Sequence, residues 1–439
     1  MKRIRGGIIS VAVIALTALS GCSRASINAQ VADVLGTSGM YENNAPVESP
    51  KMKAERELRE VEDAKLKEMQ ELLDTAEELA KHYDYEGALA KLDSINEEFQ
   101  EREEIIVAKL EYKQKQGQMV EYEGEVPHIF FQSLIVDTNR AFGGDGMAGN
   151  YASMITISEF NKILEAMYAN GYVLLDIHEL VTKVELEEGG YTYMKNNPLV
   201  PDGKIPFVLS IEDVNYYDYM LEAGFARSLV LDENGDVKNL YIDADGEESI
   251  GDYDVMPLLD AFVEKYPDFS LRGAKGIAAI TGYEGAFGYR VNDSESLTYE
   301  ADKAKVKDIA DRLRETGWWI ASHSYSHGHM KQMGYDNMVA DTEKWLEQIG
   351  SLVGETDILM YPYGEEVDYP SAQLDYLTEK GFTFLCGLWA NQEFLSVQGK
   401  YVRQTRRSVD GYALQSNPDS MRPFFNPKEV IDSARPALD

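Results

Sequence analysis

The chain has 439 residues, 44% of them hydrophobic and 10% aromatic, which is enough apolar material for a buried core and too much for a disordered polymer. A formal net charge of −34 excludes nucleic acid as the partner, because phosphate backbones need a basic surface. With only two cysteines, Cys22 and Cys386, neither a disulfide framework nor a cysteine-built zinc site is available to the body of the protein.

The elements follow in chain order. Lys2, Arg3 and Arg5 precede an apolar run from Ile8 to Ala18 that is too short to span a bilayer. The run ends in Leu19-Ser20-Gly21-Cys22, which resembles a bacterial lipobox. That resemblance implies cleavage before Cys22, lipid on its sulfur, and an extracytoplasmic protein anchored to the bacterial cell membrane. Residues 1–22 are then signal peptide; an ordinary signal peptide or a short membrane anchor is the alternative. Residues 23–50 are rich in Ser, Asn, Gly and Pro without periodicity and read as a flexible tether. Over 51–117, Ala54, Leu58, Val61, Leu66, Met69, Leu72, Leu73, Ala76 and Leu79 recur at helical spacing, and a break near Tyr83 to Gly87 suggests a helical hairpin or stalk. It serves as a spacer or as a module that docks a protein partner.

Beyond Pro127 short apolar runs alternate with amphipathic stretches. The runs are 128–136, 172–177, 206–213, 276–283, 318–324, 357–364 and 382–389. Near-continuous apolar strands separated by helices predict a parallel sheet covered on its outer face. The fold class is therefore α/β: a distorted (β/α) barrel of about seven parallel strands over 127–424, followed by a C-terminal tail, 425–439. No glycine-rich phosphate or dinucleotide fingerprint follows a strand.

In such barrels chemistry gathers where strands end. The third run ends in Glu212-Asp213, the sixth in Tyr363-Gly364 and the seventh in Trp389. The fifth ends in "HSYSHGH", so that three of the chain's 6 histidines, His323, His327 and His329, sit together. Imidazoles four residues apart in a loop can converge on one point, and Asp213 can add an oxygen from a neighbouring strand end. Two nitrogens and one carboxylate, with the remaining positions open, describe a catalytic metal site. Capping or solvent-exposed histidines are the alternative.

The motifs "LSIED" (209–213), "HSYSH" (323–327) and "YPYG" (361–364) resemble, in order and spacing, those of the polysaccharide deacetylase family, the NodB homology domain or carbohydrate esterase family four. The resemblance covers residues 127–412. It implies Asp213, His323 and His327 as ligands of a divalent metal, usually zinc, Glu212 as general base, and the Tyr363 backbone N–H as an oxyanion donor. The implied reaction is metal-dependent hydrolysis of N- or O-acetyl groups on an extracellular or cell-wall polysaccharide. The chain departs from the family in three places. Glu212 stands where Asp is usual. Met360 stands where an arginine is usual, with Arg403, Arg406 or Arg407 able to replace its charge. No histidine follows His329, where the family has a general acid. Tyr216, Tyr217 and Trp389 are expected to offer aromatic faces to sugar rings. A catalytically weakened glycan-binding barrel and a scaffold lipoprotein acting through its helical region are the rival functions.

Overall fold

The computed structural model describes residues 48–143, 149, 152–388 and 392–437. Cys22 and Trp389 lie outside the described residues. The chain divides into two units, residues 1–65 and 66–439. Within the first, the helix that starts at Pro50 is exposed along its length and carries i,i+4 pairs such as Lys51–Glu55 and Lys53–Glu57.

In the second unit that helix, α1 (Pro50–Lys81), ends and is followed by α2 (Tyr85–Ser94) and α3 (Glu103–Gln116). These bury Met69, Ala76, Ala88, Leu92, Ile105 and Tyr112 against one another. The hairpin is fastened to the barrel by the Arg272 N–H, which donates to the His82 carbonyl at 2.7 Å. A strand at Met119–Glu121 pairs antiparallel with Leu199–Pro201. No described helix is long and apolar enough to cross a membrane.

Seven strands close the barrel: β1 (His128–Phe131), β2 (Ile205–Ile211), β3 (Ile277–Ile280), β4 (Trp319–Ser322), β5 (Ile358–Met360), β6 (Phe384–Leu388) and β7 (Tyr401–Ser408). Each pairs in parallel with the next in sequence, and β7 returns to β1 through Arg407 opposite Ile129. The barrel is thus closed and wound in chain order, with helices between strands. Among those helices are α4 (Ile157–Ala169), α5 (Val255–Lys265), α6 (Tyr299–Glu315), α7 (Tyr335–Trp345) and α8 (Ala372–Glu379). Helix α4 starts at a capping box in which Thr156 and Glu159 satisfy each other's backbone N–H groups.

Two expected strand assignments change. Residues 172–174 are a strand, but they run alongside the first half of β2, outside the ring. Their place in the ring is taken by β7, whose "YVRQTRRS" lacks a continuous apolar signature. The reason lies in what β7 turns inward. The barrel interior is one cluster of alternating residues, including Val208, Ile277, Ala279, Ala321, Ile358, Met360, Phe384, Cys386 and Val402. On β7 that parity continues through Gln404 and Arg406, which complete a polar spine rather than an apolar wall. His128 sits buried between Gln404 Oε1 at 3.0 Å and Ser210 Oγ at 2.9 Å. Burial, reinforced by the Arg406 charge, drives its pKa down to about 3, so it is a neutral core group. The final residues pack onto the barrel as well, with Arg435 in a buried ion pair to Glu159 at 2.5 Å.

Candidate metal centre

The C-terminal ends of β2 and β4 bring Asp213, His323 and His327 together, each offering one ligand atom within 4.8 Å of the others. His323 follows β4 directly and is fully buried. Its Nδ1 lies 2.8 Å from the Met360 carbonyl, which can only accept, so Nδ1 carries the proton and Nε2 bears the lone pair. That Nε2 is buried with no hydrogen-bond partner. A buried, unpaired acceptor is costly unless something electrophilic sits against it. The donor set and this orphaned nitrogen fit a divalent cation.

The other two ligands are held as firmly. The Tyr217 hydroxyl donates to Asp213 Oδ1 at 2.7 Å, and His327 Nε2 is 3.8 Å from the same oxygen. His327 Nδ1 is 3.1 Å from the Tyr363 hydroxyl, whose ring packs against it at 4.7 Å. Burial pushes the His327 pKa down, partly offset by Asp213, which favours the neutral ligand form. Every ligand therefore has an outer partner that sets its orientation.

The backbone bends to achieve this. Asp213, Ser324, His327 and Tyr363 have φ of 57°, 59°, 51° and 57°, a left-handed region that costs non-glycine residues about 1–2 kcal/mol each. The histidine loop is pinned by Asp341, which accepts the N–H groups of Tyr325 at 2.7 Å and Ser326 at 2.9 Å. In the Pro-Tyr-Gly turn, Gly364 has φ +66°, and a Cβ there would lie 2.2 Å from Leu388 Cβ, so only glycine fits.

Glu212 is buried with Oε1 3.9 Å from His323 Nε2. Burial raises its pKa, but the Arg406 charge and His323 outweigh that and hold the carboxyl below its usual range. Arg406 is fully buried and donates from Nη1 to Glu212. The same nitrogen is 3.4 Å from Met360 Sδ, and Nη2 is 3.4 Å from the Tyr361 carbonyl. Of the three arginines considered as replacements at position 360, Arg406 is the one beside it. Arg403 is turned to Glu366 and stacks on Tyr369, and Arg407 pairs with Glu393.

The aromatic expectations divide. Tyr216 is 0% exposed, with its hydroxyl accepting from Asn239 at 2.9 Å, so it cannot offer a face to a sugar. Tyr217 is buried too and acts on Asp213. Beside Tyr217 two rings are exposed, Tyr219 and Tyr283, at 63% and 52%, packed against it at 5.8 and 5.6 Å. Of the two, Tyr219 falls within the aromatic stretch "VNYYDYM" (214–220) expected to meet sugar, and Tyr283 was not singled out. Tyr219 stands outward of Tyr217 because the short 3-10 turn Asp218–Met220 carries the chain outward after it. A pocket of about 230 Å³ lies against Asp213, lined also by Gln132, Met154, Tyr217 and Tyr219. His329 stands further out, stacked on Tyr363 at 4.3 Å and paired with Glu365 at 3.0 Å.

Fold and site together define a closed parallel α/β barrel carrying an open Asp-His-His centre at its strand ends. Residues 287–385 match the family model described as polysaccharide deacetylase, a stretch that holds both histidines and the Pro-Tyr-Gly turn. Among solved structures the chain is similar to the Streptococcus pyogenes deacetylase PplD in complex with acetate, at 12% identity and a TM-score of 0.37, over 66% of this chain and 93% of that one. It is also similar to a polysaccharide deacetylase from Bacillus cereus, at 14% identity and a TM-score of 0.35, over 64% of this chain and 65% of that one. No curated protein matches it in sequence.

Proposed function

We propose that the protein hydrolyses N- or O-acetyl groups on a polysaccharide, using a divalent metal, zinc first among them, held by Asp213, His323 and His327. The observation that carries this is the buried, unpartnered Nε2 of His323, aimed at the same point as His327 and Asp213. When bound, the cation supplies Lewis-acid polarisation of the acetyl carbonyl and lowers the pKa of water. Glu212, kept ionised by Arg406, takes the proton of the attacking water as its oxygen bonds to the carbonyl carbon. The Tyr363 backbone N–H serves as donor to the developing oxyanion, a contact worth on the order of 3 kcal/mol. The C–N or C–O bond then breaks, the leaving amine or alcohol takes the proton back from Glu212, and acetate departs. Tyr219 and Tyr283 offer the exposed faces on which a sugar ring can lie.

The N-terminal pattern, Lys2 to Cys22, supports a further part of the reading: an extracytoplasmic protein tethered to a bacterial membrane by lipid on Cys22. Incorporation of labelled fatty acid that disappears in Cys22→Ala tests it. The reaction itself is tested by acetate release from acetylated glycans. Release should stop on chelation and return with zinc; release that survives thorough chelation contradicts the mechanism.

A further inference from the structure

Between the two histidine ligands lie Ser324, Tyr325 and Ser326, which take no part in the proposed reaction. Ser324 Oγ is buried with no hydrogen-bond partner among the described residues, so this hydroxyl does not brace the loop. The bracing comes from outside. Helix α7 continues into a π-helical turn, Leu346–Gly350, and a π-turn inside a helix is a feature that gathers at functional sites. Along this element Asp341, Trp345 and Gln348 recur at spacings of four and three, which places them on one face.

Each of the three grips the loop or the strand end beside it. Asp341 accepts the N–H groups of Tyr325 and Ser326. Gln348 Oε1 accepts from the Tyr325 hydroxyl at 2.9 Å, and the Lys344 ammonium lies 4.0 Å over the same ring. The buried Trp345 donates its indole N–H to the Ile280 carbonyl at 2.8 Å, and the His323 N–H donates to that same oxygen at 3.0 Å. From the loop after β3, the N–H groups of Gly282 and Tyr283 donate to the Tyr325 carbonyl at 2.9 and 2.8 Å. A Cβ on Gly282 would overlap the Tyr325 ring, so this close approach needs glycine. Tyr325 is thus held at its N–H, its carbonyl, its ring and its hydroxyl.

None of these bonds uses a ligand atom of Asp213, His323 or His327, so the grip on the loop is complete without an ion. The left-handed φ of Ser324 and His327 is strain that persists only where the surroundings over-determine it, and the helix face supplies that constraint. We propose that α7 and its π-turn are a template that presets the metal centre, with Tyr325, Asp341 and Gln348 as positioning residues for His323 and His327. The proposal rests on the metal reading of that centre and adds to it where the affinity comes from. A loop already fixed in shape gives up little conformational freedom when the cation binds. On a loose loop the same ligands would spend part of their binding free energy on ordering Ser324–His327.

The test measures zinc dissociation constants on the full chain by competition with a chelator, together with the visible spectrum of the cobalt(II)-loaded protein, which reports ligand geometry. Asp341→Asn, close in shape to the parent, should weaken zinc binding about 30-fold and alter the cobalt bands. Tyr325→Phe and Gln348→Leu remove the same bond, so they should weaken zinc binding equally, and the double variant no further than either alone. This pair carries the test if Asp341→Asn does not fold. Tyr376→Phe is the control: its hydroxyl donates to Glu343 at 2.9 Å and ties α7 to α8 instead of to the loop, so its loss should leave affinity and spectrum unchanged. Zinc affinity within about twofold of the parent in Asp341→Asn and Tyr325→Phe, or an equal loss in Tyr376→Phe, overturns the proposal. The two readings fail separately. A parent that binds no zinc removes the metal reading and this proposal with it, whereas variants that bind zinc as tightly as the parent remove the proposal alone.

Discussion

Two histidines at opposite ends of the barrel are treated in opposite ways. His178 lies at the floor, beside Trp319 and Phe384 at the starts of β4 and β6. Both of its nitrogens meet carboxylates, Asp176 at 2.7 Å and Asp357 at 3.0 Å. Burial opposes its charge, yet those two partners prevail and lift its pKa to about 9. His323 lies at the rim, where one nitrogen donates to a carbonyl and the other has nothing. The floor is a saturated network that serves stability. The rim keeps an unsatisfied atom in a strained loop, an arrangement suited to holding a ligand. Between these two histidines, hydrogen-bond satisfaction marks the difference that burial alone does not.

The comparison breaks most visibly if the two residues are exchanged in their effects. His323→Ala should reduce acetate release by at least about 1,000-fold while leaving the unfolding midpoint of the metal-free protein less changed than His178→Ala does. His178→Ala should do the reverse: it leaves Asp176 and Asp357 without their shared cation, costs roughly 2 kcal/mol or more in denaturant unfolding, and spares kcat. A loss of activity in both, at equal stability, would erase the distinction.

Next in size is the Arg406–Glu212 pair. Arg406→Met leaves a buried carboxylate uncompensated and should lower kcat by about 100-fold, with a stability loss of about 3 kcal/mol. Because Met360 Sδ is only 3.4 Å from Arg406 Nη1, adding Met360→Arg places a guanidinium in nearly the same spot. The double variant should recover a large part of kcat. Recovery of stability without activity would show that Arg406 only neutralises charge.

The floor also predicts a pH signature. Folding raises the His178 pKa from 6.5 to about 9, so its stabilisation is complete below pH 6.5 and is lost as pH climbs through 9. Across that interval the parent should lose at most about 3 kcal/mol from this group, seen as a falling urea midpoint. The fall should be shallower in His178→Gln. The smallest expected effect is at the rim: Tyr217→Phe, which removes the hydroxyl on Asp213, should weaken metal affinity by about tenfold without a change in fold.

Much of the rim was legible beforehand, because it is written in short motifs at strand ends. Glu212-Asp213, His323, His327 and Tyr363 announce themselves through residue type and position. What carried no local signal depends on contacts between distant segments. Strand β7 was hidden because its inward positions, Gln404 and Arg406, are polar and make sense only beside His128, Ser210 and Glu212. The antiparallel insert between Ser228 and Gly251 was missed because its strands are half-exposed and short, unlike the apolar barrel runs. Tyr216 and Tyr217 were expected on the surface because aromatic residues after a catalytic strand suit sugar contact. The left-handed turn at Asp213 and Tyr216 instead swings both side chains under the loop. Asp341, which pins the histidine loop from α7, follows the motif by fourteen residues or more and has no pattern of its own.

The most direct test of the central claim is the metal content of the purified protein by elemental analysis, with His323→Ala and His327→Ala measured alongside. About one zinc or similar divalent ion per chain, lost in both variants, is the result that three converging ligands and an unpartnered Nε2 predict. A parent chain that takes up no metal even after reconstitution would contradict the account and leave the rim as a glycan-binding surface without the proposed chemistry.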